Sequence, residues 1–195
     1  MLEKNDEDLI EYSFKSLRIE GIKKSNLSVQ SCVFSNCSFG TCCIQKSQFS
    51  DVVFKNCDLS NVNLTGCGFH RVEFIGCKLM GTNMSDGIFN HITFEECRGE
   101  YMNLSMSKMR YIQITRSNLQ GAGIEDCQLT NYILERNRPV ELGNIRYPHH
   151  KSCQQRAERI FRFLFTSIGA DTDAGNRDQR LNAFIRHSRD GDATK

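Results

Sequence analysis

The 195-residue chain has no tryptophan, only 2 prolines, no long apolar run and no marked excess of either charge, with 25 Lys and Arg against 23 Asp and Glu. Each scarcity excludes something. No apolar run approaches the roughly 18 residues that a membrane-spanning helix requires, so no membrane partner is expected. A formal net charge of +2 creates no electrostatic demand for direct nucleic-acid binding. The opening stretch, MLEKNDEDLIEY, is acidic and polar and does not read as a secretory signal. Ten cysteines without such a signal point to reduced thiols and a cytoplasmic location rather than a disulfide framework. A hydrophobic content of 39% excludes a disordered chain. What the chain does have in quantity is cysteine (10) and phenylalanine (13), and their spacing carries the information.

Stepping by five from Phe14 to Leu134 visits 25 positions, of which 23 are large and apolar; Lys24 and Gly99 are the exceptions. Two residues before each of these centres lies a second class, small and uncharged, that takes eight of the ten cysteines, among them Cys37, Cys57, Cys77 and Cys97. Such a slot suits free cysteine acting as a compact apolar residue. Helices repeat every 3.6 residues and half-buried strands every 2, so a strict period of five fits neither. It fits a square coil in which four five-residue units make one turn and the centre and the small residue point inward.

A twenty-residue period tests that geometry within the sequence. Sorting the centres by twenty gives one column of Phe14, Phe34, Phe54, Phe74, Phe94, Ile114 and Leu134, and another of Val29, Phe49, Phe69, Phe89, Met109 and Leu129. The other two columns are mostly aliphatic, with Leu59, Leu79 and Leu119 in one and Ile44, Leu64, Met84 and Leu104 in the other. Six coils at about 4.8 Å each predict a prism about 29 Å long with no inserted loop between Phe34 and Leu134. Lys24 belongs near the open end, where its long side chain reaches solvent. The acidic segment from Asp6 to Glu11 is expected to cover that end.

Units such as CDLSNVNLTGCGF (Cys57 to Phe69), GTNMS (Gly81 to Ser85) and SNLQG (Ser117 to Gly121) resemble the pentapeptide repeat family. The resemblance implies an all-β fold, a right-handed quadrilateral β-helix solenoid. Within the family, FHRVEFIGCKLMGTNMSD (Phe69 to Asp86) and FEECRGEYMNLS (Phe94 to Ser105) look like the Qnr-like quinolone-resistance proteins of Gram-positive bacteria. Those relatives, like the MfpA type, are dimeric rods that bind DNA gyrase and topoisomerase IV and protect them from fluoroquinolones. The resemblance therefore implies a binding protein that performs no chemistry and needs no cofactor, its partner a topoisomerase approached by a rod of DNA-like width.

Charge counting qualifies that mimicry. Residues 1–137 hold 16 acidic and 14 basic side chains, a net of −2, whereas residues 138–195 hold 7 and 11, a net of +4. A weakly acidic rod is a poor global copy of a phosphate backbone. The candidate partner surface is therefore local: Glu95, Glu96 and Glu100 around Gly99, with Glu73 about one coil below. Solvated outward positions without a partner are the plain alternative.

The domain plan is a cap over 1–13, the β-helix over 14–137, a connector over 138–151 containing Pro139 and Pro148, a helix over 152–169 and a polar, mobile tail over 170–195. Ser152 and Gln155 have capping-box spacing, and Ile160, Phe161, Leu164, Phe165 and Ile168 form one apolar stripe before Gly169. That amphipathic helix is the candidate dimer helix, since Qnr-like relatives dimerise through a C-terminal helix. Such a stripe belongs against the last coil or a second copy. The polar tail departs from the family's ending.

Catalytic readings find little support. Cys42 points inward and Cys43 precedes a centre, His70 and His91 are outward, and His149 and His150 lack Cys or carboxylate neighbours. Cysteines in separate layers are poorly placed for disulfides, and inward columns do not converge four ligands on a metal. No phosphate loop, nucleophile elbow or HExxH sequence occurs. A scaffold for another protein, such as an effector or a toxin-immunity factor, is the alternative function.

Overall fold

The computed structural model describes residues 8–135. Their conformation is set by a corner at every fifth residue. Among the described residues all 25 with positive φ fall two positions after a centre, 20 of them non-glycine, from Glu11 (61°) through Asn36 (55°) and Arg71 (51°) to Asn131 (53°). The left-handed region costs an L-residue about 1–2 kcal/mol, and Asn, Asp and Gly bear it best. Hydrogen bonds to the neighbouring coil offset that cost: the corner amides of Asn36 and Asn56 donate to Lys55 O (2.9 Å) and Ile75 O (2.8 Å). Corners of one hand, with three extended residues between them, close a square in four units and return the chain one rung along.

The first two coils are built of short strands, β1 (Asp8–Ile10), β2 (Ser13–Lys15), β3 (Arg18–Glu20) and β4 (Lys23–Ser25), then β5 (Ser28–Gln30), β6 (Val33–Ser35), β7 (Ser38–Gly40) and β8 (Cys43–Gln45). From β9 (Gln48–Lys55) onward two adjacent sides merge into one bent strand per coil, repeated in β10 (Gly68–Ile75), β11 (Ile88–Glu95), β12 (Lys108–Thr115) and β13 (Gln128–Glu135). All pairings are parallel and offset by twenty, as in Phe49↔Phe69, Phe69↔Phe89 and Phe89↔Met109. No insertion interrupts the register between Phe34 and Leu134. We number the sides by their centres: side 1 from Phe14, side 2 from Ile19, side 3 from Lys24, and side 4 from Leu9.

The interior is a stack of rings and sulfurs. On side 1, Phe34, Phe54, Phe74 and Phe94 stack at 5.0–5.1 Å between centroids, and on side 4, Phe49, Phe69 and Phe89 stack at 5.1 Å. Those seven rings, with Leu59, Leu64 and Leu79 and the Cys37, Cys57, Cys77 and Cys97 ladder, are all buried. Gly99 belongs to the same interior. A Cβ there would lie 2.6 Å from Leu119 Cδ2 and 2.8 Å from Met102 Sδ, so a large Met102 in the normally small slot fills the space that a large centre would occupy.

The solenoid begins earlier than the expected boundary at residue 14. β1 pairs with β5, and Leu9, one unit before Phe14, is half-buried beneath Val29. Residues 8–13 are therefore coil rather than cap, because Leu9 already satisfies the five-residue frame. Lys24 is exposed in the first coil. The expected connector, the candidate dimer helix with Ile160, Phe161, Leu164, Phe165 and Ile168, and the expected polar tail lie outside the described residues.

Candidate partner-binding surface

Outward side chains at one level sit beside those twenty residues away, so surface chemistry follows columns. This decides the fate of the candidate carboxylates. Arg116, one rung beyond Glu96, donates from Nε to Glu96 Oε1 at 3.0 Å and from its terminal nitrogen to Glu95 Oε1. Glu100 Oε1 accepts from Asn118 Nδ2 at 2.9 Å and lies 3.6 Å from Arg98 Nε, while Glu100 Oε2 is buried without a partner. Glu95 and Glu96 meet at the corner between sides 1 and 2 and Glu100 lies past the Gly99 centre on side 2, and arginine holds each of them. Glu73 is apart, in β10 beneath Thr93, exposed and without an ion pair among the described residues.

A second cluster occupies the corner between sides 4 and 1. Arg71 Nε donates to Asp51 Oδ1 at 2.5 Å across one rung, and the Arg71 guanidinium beside Asp51 holds its carboxyl below the ordinary carboxylate range. His91 stacks on Tyr111 with centroids 4.5 Å apart, Arg110 lies 5.1 Å from the Tyr111 ring centre, and Arg71 touches His70. A shallow depression runs between Arg71, His91, Tyr111 and Asn131 on one side and Glu73 and Gln113 on the other. Both histidines are engaged with neighbouring rings.

The nine cysteines among the described residues are free thiols. They are more than fillers. Cys57, Cys77 and Cys97 donate to Phe34 O (3.3 Å), Phe54 O (3.2 Å) and Phe74 O (3.2 Å), in each case the carbonyl 23 residues back. Hydroxyls do the same at equivalent positions, Thr82 to Leu59 O at 2.7 Å and Ser107 to Met84 O at 3.3 Å. Desolvation pushes the Cys67 thiol up to about 11. Among the described residues no group of three or more His, Cys, Asp or Glu is placed to hold a metal.

Side 3 is chemically different from the rest. From the third to the fifth coil the residues flanking its centres are Asn63, Thr65, Asn83, the buried Ser85, Asn103 and Ser105, with no charge. Asn63, Asn83 and Asn103 each accept the backbone N–H two residues on, at 3.1, 3.2 and 3.0 Å. Sequence reading by charge clusters passes over this side because its distinguishing mark is an absence; sorting the outward residues by twenty would have found it.

Two pentapeptide repeat models match the chain, one described as a pentapeptide repeat region over residues 67–142 and one as pentapeptide repeats over residues 47–86. No curated protein sequence matches. Among solved structures, HetL, a pentapeptide repeat protein involved in heterocyst differentiation regulation from the cyanobacterium Nostoc sp. strain PCC 7120, aligns at 12% identity and a TM-score of 0.49, over 71% of this chain and 91% of its own. QnrB1, a plasmid-mediated fluoroquinolone resistance protein, aligns at 13% identity and a TM-score of 0.43, over 76% of this chain and 99% of its own. Rfr23 from the cyanobacterium Cyanothece 51142 aligns at 9% identity and 0.41, over 68% and 91%. Together the two models match pentapeptide repeats over residues 47–142, and the five-residue units and square coils of residues 47–135 have that form.

Proposed function

We propose that this protein is a non-enzymatic binding rod of the cytoplasm that associates with a type II topoisomerase, DNA gyrase or topoisomerase IV, and protects it from fluoroquinolones. The observation that carries the reading is the unbroken four-sided rod, six coils without an insertion, whose outward side chains present contact surface rather than a reaction centre. The Qnr-like stretches from Phe69 to Asp86 and from Phe94 to Ser105 lie within it. Mimicry of DNA is of width rather than charge, since Arg116 and Arg98 neutralise Glu95, Glu96 and Glu100.

The test is gyrase supercoiling with and without ciprofloxacin. Micromolar protein is expected to restore supercoiling in the presence of drug, and Glu95→Gln with Glu96→Gln is expected to leave that protection unchanged. Protein that neither restores supercoiling nor alters it alone refutes the reading. A pull-down that recovers a different protein and no gyrase subunit supports the alternative, a repeat scaffold for another partner.

A further inference from the structure

We infer that side 3 is a self-association surface on which two copies of the chain pack laterally, with parallel axes, each placing Tyr101 against Met106 of the other. Beyond the second coil, five large apolar residues are strongly exposed, and four of them border this side: Tyr101 at 69% and Met80 at 40% around one corner, Met106 at 56% and Ile88 at 58% around the other. The strip between those corners carries no charge through the third to fifth coils. Its asparagine carbonyl groups are already engaged by the backbone, so covering them costs less than covering free polar groups. Tyrosine and methionine around a charge-depleted centre is the composition of a protein interface.

The backbone at Tyr101 adds a second, independent observation. Its corner is a type II turn, in which Met102 N donates to Gly99 O at 3.2 Å and Tyr101 holds φ at 59°. The same corner is Asn61, Gly81 and Gly121 in the neighbouring coils, residues that bear positive φ cheaply. A bulky ring stands where glycine or asparagine would be less strained, and it lies over Gly121, whose Cβ would come 2.7 Å from its carbons.

A two-fold axis parallel to the rod selects the occupant. It brings the Tyr101 corner of one copy opposite the Met106 corner of the other at nearly the same height, one quarter-turn apart in the same coil, and sulfur against an aromatic ring is a favourable contact. The carboxylates that flank Met106 in its column, Asp86 and Asp126, then come opposite Gly81 and Gly121, so no like charges meet. The strip and its corners amount to on the order of 1,000 Å² between two copies, at the small end of specific interfaces, which sets a weak, micromolar dimer.

Sedimentation of the full chain over a wide concentration range, at low and high salt, tests this. A monomer–dimer equilibrium unmoved by salt is expected. Tyr101→Asn is expected to raise the dimer Kd at least about thirtyfold while circular dichroism stays that of the parent, since Asn61 occupies the same corner with the same φ. Met106→Asp, a residue the column already accepts at Asp86 and Asp126, is expected to act in the same direction. A chain that stays monomeric at every concentration, a dimer loosened by salt, or a dimer that both variants leave within threefold of the parent overturns the inference.

Discussion

Phe74→Ala removes the ring at the middle of the side 1 column. Phe74 is fully buried, stacked on Phe54 and on Phe94 with centroids 5.1 Å away in each case, and set edge-on to Phe69 at 6.1 Å. Truncating a buried phenylalanine costs about 3–5 kcal/mol from lost transfer energy and the residual cavity, and the upper part of that range applies where hydrogen-bonded rungs above and below prevent collapse. Phe14 supplies the internal control. It belongs to the same column but is only partly buried in the first coil, with one coil neighbour, Phe34, at 4.9 Å. Its truncation should cost about 1–2 kcal/mol, in proportion to the smaller area hidden. Urea unfolding of the full chain, followed by far-ultraviolet circular dichroism, compares the two. Because a solenoid is held by nearest-neighbour rungs, Phe74→Ala should also broaden the transition as the two halves uncouple, whereas Phe14→Ala should only fray one end. Equal losses from the two substitutions, or a loss below about 1.5 kcal/mol at Phe74, would refute the reasoning. Phe74→Asp, which buries an unpaired carboxylate, should abolish the fold.

Two further outcomes are expected. Alkylation of the native protein should modify Cys43, which is half-exposed, while Cys57, Cys67, Cys77 and Cys97 react only in denaturant; peptide mass mapping that finds the ladder labelled at the rate of Cys43 would remove it from the interior. Asp51, held below its ordinary range by Arg71, contributes stability that is present above the unfolded carboxylate value of about 4 and is lost as pH falls through the lower folded value. Asp51→Asn should therefore flatten the stability–pH curve in the acid range, less so at high salt, and an unaltered curve at low salt would contradict the pairing.

Much of the interior is legible in the sequence. A period of five admits few structures, so the frame through Phe34, Leu59 and Cys77 predicted which side chains turn inward, and Lys24 was recognisable as an end residue. The start at Asp8 was missed because Glu7 fills the small slot of that unit and the acidic residues around Leu9 read as a polar cover, although Leu9 kept the frame. Gly99 read as a break in the series of centres; it is an interior position whose volume Met102 and Leu119 supply, a compensation between neighbouring slots that position-by-position reading does not show. The surface was harder. Glu95, Glu96 and Glu100 cluster in sequence, but their electrostatics depend on Arg116 and Arg98, and the Arg116–Glu96 pair becomes visible only when residues twenty apart are compared. The same comparison would have paired Arg71 with Asp51 and Lys78 with Asp58.

The corner at every fifth residue also fixes how this chain can change in length. Inserting a single residue shifts every later side chain off the frame, turning Phe and Cys outward, so it should be as damaging as a core polar substitution. Inserting five keeps inside and outside but rotates all later columns by a quarter turn: Arg71 would leave Asp51, and the Phe69 and Phe74 rings would be carried onto new sides. Only twenty residues add a whole rung and leave every column intact. The rod is thus a ruler with three graduations, and its surface pairings survive growth only in the largest.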